Sequence, residues 1–194
     1  MTCKTPMIIR ETSSGYFCCD IADDMLSRRE VECVGEITAD LAYSLTRQLR
    51  WLEQEDGSAE ITLLINSLGG EVPSGLALYD VMRGLSCPVR TVCLGTAASM
   101  AAVLFAAGAR REILPHGRVM IHDPLITGGA GGSALQVQAV SDRLQKVRRE
   151  LCTVLAECTG KSLRQIYRKT CKDTWFDAEE AVAFGLADRV IQTI

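Results

Sequence analysis

The chain has 194 residues, 47% of them hydrophobic and 23% charged, the proportions of a globular protein long enough for one sizeable core. Its formal net charge is −3 and its basic residues are scattered, which argues against a nucleic-acid footprint. The longest weakly polar run, Thr91 to Gly108, is rich in alanine and glycine, and Met1-Thr2-Cys3-Lys4 has no apolar signal core behind it; neither a membrane role nor export is expected, and the expected compartment is cytoplasmic.

Residues 1 to 30 are loosely patterned, with Met7-Ile8-Ile9 as a possible short strand and Glu11 to Gly15 as loop; they read as an N-terminal arm on a single domain running from 31 to 194. Glu30 to Gly35 alternates polar and apolar residues as a half-buried strand does. Thr38 or Asp40 then caps a helix on which Leu41, Leu45, Leu49 and Leu52 recur at three- and four-residue steps, up to Asp56-Gly57. Ala59 to Asn66 is a second strand, followed by Ser67-Leu68-Gly69-Gly70 and a helix from about Ser74 to Leu85. Gly69-Gly70 fits neither phosphate-loop fingerprint, and Gly160-Lys161-Ser162 is a helix stop followed by a new cap.

Val89 to Leu94 is a buried strand bounded by Pro88 and Gly95, and the alanine-rich stretch from Thr96 to Ala107 reads as a helix stopped by Gly108. Ser99, near that helix start, has Ala97 and Ala101 two residues to either side, a small-x-Ser-x-small spacing suited to a serine protruding from a sharp strand-to-helix turn. Arg111 to Leu114 leads to a strand ending at Ile121-His122-Asp123-Pro124. After the glycine-rich loop Thr127 to Gly132, Ser133 caps a long helix reaching Cys158, too long to lie wholly on one small domain and expected to protrude toward another subunit. A short helix from Ser162 to Thr170, a loop from Cys171 to Phe176, a helix from Asp177 to Phe184 and a strand from Asp188 to Ile191 complete the chain.

The β-α-β-α alternation predicts an α/β fold with a largely parallel sheet, whose chemistry gathers beyond the carboxyl ends of the strands. Asn66 to Gly70, Ser99 and His122 each lie just past such an end. A serine nucleophile needs a base, and the chain has two histidines: His116 sits in a turn after Leu114-Pro115, whereas His122 closes a strand. For the carboxylate that orients the base, Asp123 is adjacent in sequence but faces away in an extended strand, Asp177 reads as a helix N-cap, and Asp173 is what elimination leaves. The nine cysteines show no Cys-x-x-Cys and no zinc spacing, so free thiols and no metal are expected; Cys93, inside an apolar strand, lacks a means of activation.

Four segments together resemble the ClpP-type serine peptidases: Asn66-Ser67-Leu68-Gly69-Gly70-Glu71-Val72, Gly95-Thr96-Ala97-Ala98-Ser99-Met100-Ala101, Arg118-Val119-Met120-Ile121-His122-Asp123-Pro124, and Asp173-Thr174-Trp175-Phe176 through Val182. The resemblance implies a crotonase-like α/β fold with a protruding handle region at about 125–159. It implies Ser99 as nucleophile, His122 as general base and acid, Asp173 as orienting carboxylate, and the backbone N–H groups of Gly69 and Met100 as an oxyanion hole. It further implies two stacked heptameric rings, homomeric or mixed, an axial-gate role for the first residues, and an AAA+ Clp unfoldase that spends the ATP and delivers unfolded polypeptides, with no cofactor in this chain.

The chain departs from the family pattern at Leu68, where a proline is usual, at Glu71, at Asp123, where a glutamine is usual, and at Leu64, where a tyrosine is usual within the surface pocket that receives the unfoldase. Two alternatives therefore stand beside an active peptidase: a ring subunit of little activity alone that works with an active paralogue, and a crotonase-type acyl-CoA enzyme using the glycine loops without Ser99 and His122.

Overall fold

The computed structural model describes residues 7–13, 15–126 and 131–194. It begins with a hairpin, β1 (Met7–Thr12) and β2 (Gly15–Asp20), followed by helix α1 (Ile21–Ser27). Of the stretch expected as loop, Glu11 and Thr12 close β1 and Gly15 opens β2; residues 1–6 of the expected arm lie outside the described residues. Asp20 caps α1 by accepting from Asp23 N–H at 2.7 Å. Leu26 packs on the main core.

The body alternates strands and helices as its periodicity requires: β3 (Glu30–Ile37), α2 (Ala39–Glu55), β4 (Ile61–Gly70), α3 (Val72–Gly84), β5 (Val89–Ala98), α4 (Met100–Ala106), β6 (Arg110–Ile113) and β7 (Arg118–Ile121). Thr38, not Asp40, is the N-cap of α2, and the leucine stripe Leu45, Leu49 and Leu52 is buried. Then come α5 (Ala134–Thr159), α6 (Leu163–Thr170), β8 (Thr174–Phe176), α7 (Ala178–Phe184) and β9 (Arg189–Val190). Ser133, Ser162 and Asp177 each cap a helix through a reciprocal capping box.

The sheet runs β3-β4-β5-β6-β9 with every neighbour parallel, and β7 joins β5 in parallel above β6. β8 alone is antiparallel, on β7; the stretch expected as a loop contains this strand. Helix α4 is buried along its whole length, which explains its alanines: only small side chains let it lie this close to β4 and β5.

Two register shifts bend the carboxyl end of β4. Val34 faces Asn66 but Glu36 faces Gly69; on the other side Ile65 faces Cys93 but Ser67 faces Ala97. Asn66 patches the second shift, its side-chain carbonyl accepting from Thr96 N–H at 3.1 Å. Such bulges re-aim a strand end, and here they open a groove of about 610 Å³ lined by Glu36, Ser67, Leu68, Gly69 and Gly70 among others.

The long helix splits in two. Residues 134 to 139 are exposed, Leu135 at 83%, whereas Leu151, Cys152 and Leu155 are buried against the body. Its 26 residues span about 39 Å at ~1.5 Å each, so its first half stands away from the core as expected. The expected glycine loop lies, from Thr127 through Ala130, outside the described residues. No helix among the described residues is long and apolar enough to cross a membrane.

Candidate active site

Ser99 occupies the single residue between β5 and α4, at φ 55° and ψ −121°. The strand extends through Ala98, so Thr96 to Ala98 are extended rather than helical, and the reversal is compressed into one residue. Positive φ at a non-glycine residue is strained by about 1–3 kcal/mol. It is held by Ser99 N–H donating to Met120 O at 2.9 Å and by Ser99 O accepting from Ala102 N–H at 3.0 Å. Ala97 and Ala101 are 0% exposed, so small residues at these two positions are a packing requirement of the turn.

His122 follows the last residue of β7, and its Nε2 lies 2.7 Å from Ser99 Oγ. The register explains why Asp173 is behind it: Ile121 pairs with Thr174 across the antiparallel β7–β8 contact. The next residue after Ile121 therefore stands opposite the residue before Thr174. His122 Nδ1 is 3.5 Å from Asp173 Oδ1, with the imidazole 15% and the carboxylate 68% exposed. The two other candidate carboxylates are engaged elsewhere, Asp123 with Arg148 at 2.6 Å and Asp177 with Glu180 N–H at 2.9 Å. His116 is exposed in its turn.

Gly69 abuts the serine. A Cβ on it would meet Ala98 O and Ser99 Cβ at 2.7 Å and Met100 N at 3.0 Å, and its φ is +97°, so only glycine fits. Its N–H donates to Ser67 Oγ at 3.1 Å. Met100, the first residue of α4, has an N–H that no intrahelical carbonyl can reach. Gly75 lets Met100 lie against α3, since a Cβ there would stand 2.2 Å from Met100 Cγ. Beside Ser99 and His122 is a small apolar recess of about 20 Å³ walled by Val72, Met100, Leu151 and Leu155.

Leu68 is 72% exposed on the groove, and Glu71 accepts from Ser74 O–H at 2.7 Å, bracing the start of α3. Cys93 is fully buried, and burial pushes its thiol up to about 12, leaving it protonated and inert.

A strained serine on a strand-to-helix elbow, hydrogen-bonded to a histidine that is backed by a carboxylate, is the geometry of acyl-transfer hydrolases. The model of the Clp protease family matches residues 13–194 of this chain. The chain belongs to the Clp protease family. It is 40% identical over 190 residues to the ATP-dependent Clp protease proteolytic subunit 2 of Chlamydia trachomatis serovar D, covering 97% of this chain and 93% of that one. The subunit 2 protein of Chlamydia muridarum is likewise 40% identical over 190 residues, with 97% and 93% covered, and that of Chlamydia pneumoniae is 39% identical over 188 residues, with 96% and 92% covered. The family's class of chemistry, serine-type endopeptidase, is that of this chain.

Sequence reasoning missed three features of the site. The recess walls on α5 lie some fifty residues from Ser99 in sequence and belong to a helix read only as protruding. The Asn66 patch depends on a register shift that local pattern does not encode. The Asp123–Arg148 pair was half visible, because a carboxylate facing away from the site near the end of a buried strand calls for a cation.

Proposed function

We propose that this chain hydrolyses polypeptides through an acyl-enzyme at Ser99. The observation that supports this best is the 2.7 Å approach of His122 Nε2 to Ser99 Oγ, with Asp173 on the other ring nitrogen. Ser99 Oγ gives its proton to His122 Nε2 as it attacks the scissile carbonyl carbon. The C–N bond then breaks while the imidazolium protonates the leaving amine. Water, giving a proton to the same imidazole, attacks the ester carbonyl, and the proton returns to Ser99 Oγ as the acid departs. Asp173 keeps the Nδ1 proton in place and stabilises the imidazolium.

The oxyanion is taken by Met100 N–H and Gly69 N–H. Because Gly69 N–H already donates to Ser67 Oγ, the oxyanion shares or displaces that bond. The exposed half of α5 meets further copies of the chain or of a related one in two stacked heptameric rings. An AAA+ Clp unfoldase feeds unfolded chains to the enclosed sites, in the cytoplasm, and the ATP is spent there.

A fluorophosphonate probe tests the site, read by mass spectrometry of the adduct with peptidase activity and solution mass measured on the same sample. Modification is expected on the Ser99 peptide and absent from Ser99→Ala. Labelling or peptide cleavage that persists in Ser99→Ala overturns the assignment.

A further inference from the structure

The residue after the proposed base ties three elements together. Asp123 N–H donates to Thr170 O at 2.7 Å, at the end of α6 and three residues before Asp173. Its side chain turns away from Ser99, as the residue after His122 in an extended chain must, and faces α5, where Arg148 Nε stands 2.6 Å from Asp123 Oδ2. The guanidinium also lies 4.6 Å from the centre of the Tyr167 ring on α6. Asp123 Oδ1 is buried and has no hydrogen-bond partner among the described residues.

The pair lies at the edge of solvent, Arg148 28% and Asp123 31% exposed, where an ion pair adds little to stability. Its position suits a different task. The strand end carrying His122, the turn carrying Asp173 and the helix that walls the recess with Leu151 and Leu155 converge on this one ion pair. Rotation of the His122–Asp123 peptide would swing the imidazole away from Ser99, and Arg148 resists that rotation from behind.

We propose that Arg148, acting through Asp123, is a positioning residue that holds His122 at hydrogen-bonding distance from Ser99. The proposal rests on the reading of Ser99 and His122 given above. A displacement of about 1 Å in a catalytic group lowers rates roughly a hundredfold, which sets the scale.

The test uses the full-length assembled protein with Asp123→Asn, Arg148→Gln, Arg148→Lys and the double variant Asp123→Asn/Arg148→Gln. Each is assayed for kcat and KM on a short fluorogenic peptide and for the rate of fluorophosphonate labelling at Ser99. Asp123→Asn and Arg148→Gln are expected to lose about tenfold to a hundredfold in kcat with KM within twofold, and to be labelled more slowly in the same proportion. Arg148→Lys keeps the charge and recovers most of the rate. The double variant is no slower than the slower single one, because both break one device.

A merely structural pair gives the opposite pattern: lower melting temperatures, kcat within twofold of wild type below the melt, and additive effects. That pattern overturns the proposal while the wild type still reacts at Ser99. A wild type that does not react overturns the reading of the site and this inference with it. Asp123→Asn, nearly isosteric with the native residue, decides alone should Arg148→Gln fail to fold.

Discussion

Among the described residues two that are not glycine sit at positive φ, Arg29 at 63° and Ser99 at 55°, and they lie at opposite ends of the same parallel sheet. Arg29 precedes β3, and its guanidinium donates to four main-chain carbonyls, those of Leu52, Asp56, Ala59 and Glu60, at 2.9 to 3.2 Å. The strain there is offset locally by tying the end of α2 to the entry of β4. Ser99 has no comparable return: its side chain has a hydrogen bond to His122. Strain that is locally compensated belongs to the scaffold, whereas strain held in place by its surroundings clusters at functional sites, in keeping with the role proposed for Ser99.

The charges divide in the same way. Near the starts of β5, β6 and β9, Glu112 is 0% exposed and bonds Arg90 and Arg189 at 2.6 and 2.7 Å, with Arg110 Nε at 3.5 Å. At the carboxyl ends Asp173 faces His122 across 3.5 Å and is mostly in solvent. One end of the sheet is held by a buried carboxylate among arginines; the other leaves its carboxylate open to solvent.

The sharpest way to break this division is to exchange the effects. Ser99→Ala is expected to lower kcat by about 10⁶-fold, equivalent to about 8 kcal/mol of barrier, and to leave the melting temperature within a few degrees of wild type. A melt that collapses would show that the end proposed to carry the chemistry also holds the fold.

Glu112→Ala is the converse, leaving three arginines facing one another. It is expected to cost about 3–5 kcal/mol while activity per folded molecule stays unchanged, measured by denaturant unfolding and active-site titration. Glu112 also carries a pH dependence. Burial pushes its carboxyl up, but the hydrogen bonds from Arg189 and Arg90 outweigh this and hold it below the ordinary value. A depressed folded pKa contributes stability that is fully present above the unfolded carboxylate range and is lost as pH falls through the folded value. Wild type should therefore lose more stability than Glu112→Ala on acidification below the usual carboxylate range. Parallel curves for the two proteins would deny Glu112 that role.

At the same end, Arg29→Ala is expected to cost about 1.5–3 kcal/mol, the worth of charge-assisted hydrogen bonds, again with kcat unchanged. A fall in kcat without a fall in stability would sink the contrast with Ser99.

Much of this division is legible in the sequence, for a physical reason. The alternation of strand and helix is written in hydrophobic period, and parallel βα units place the strand ends Ser67 to Gly70, Ser99 and His122 on one side of the sheet by topology alone. What is not legible depends on partners far away in the chain. Thr174-Trp175-Phe176 is too short to announce a strand and becomes one only against β7, yet it is this pairing that brings Asp173 to His122. The alanines before Ser99 have the propensity of a helix and are extended because β5 continues between β4 and β7. Arg29, in a run of three charged residues, Arg28 to Glu30, gives no sign that it reaches four carbonyls between residues 52 and 60.

The smallest expected effect isolates the strain itself. Ser99→Gly and Ser99→Ala both remove the hydroxyl and its bond to His122, so both are inactive and their difference reports the backbone. At most positions glycine is the less stable of the two by about 0.5–1 kcal/mol, because it loses more freedom on folding. At φ 55° and ψ −121° a Cβ is strained by about 1–3 kcal/mol and glycine is not. The sign should therefore reverse, with Ser99→Gly more stable than Ser99→Ala by about 1 kcal/mol, or roughly 2–4 °C in melting temperature for a chain of this size. Ala102→Gly, within buried α4, supplies the ordinary sign for comparison. If alanine is as stable as glycine at position 99, the elbow holds no strain, and the contrast drawn with Arg29 fails.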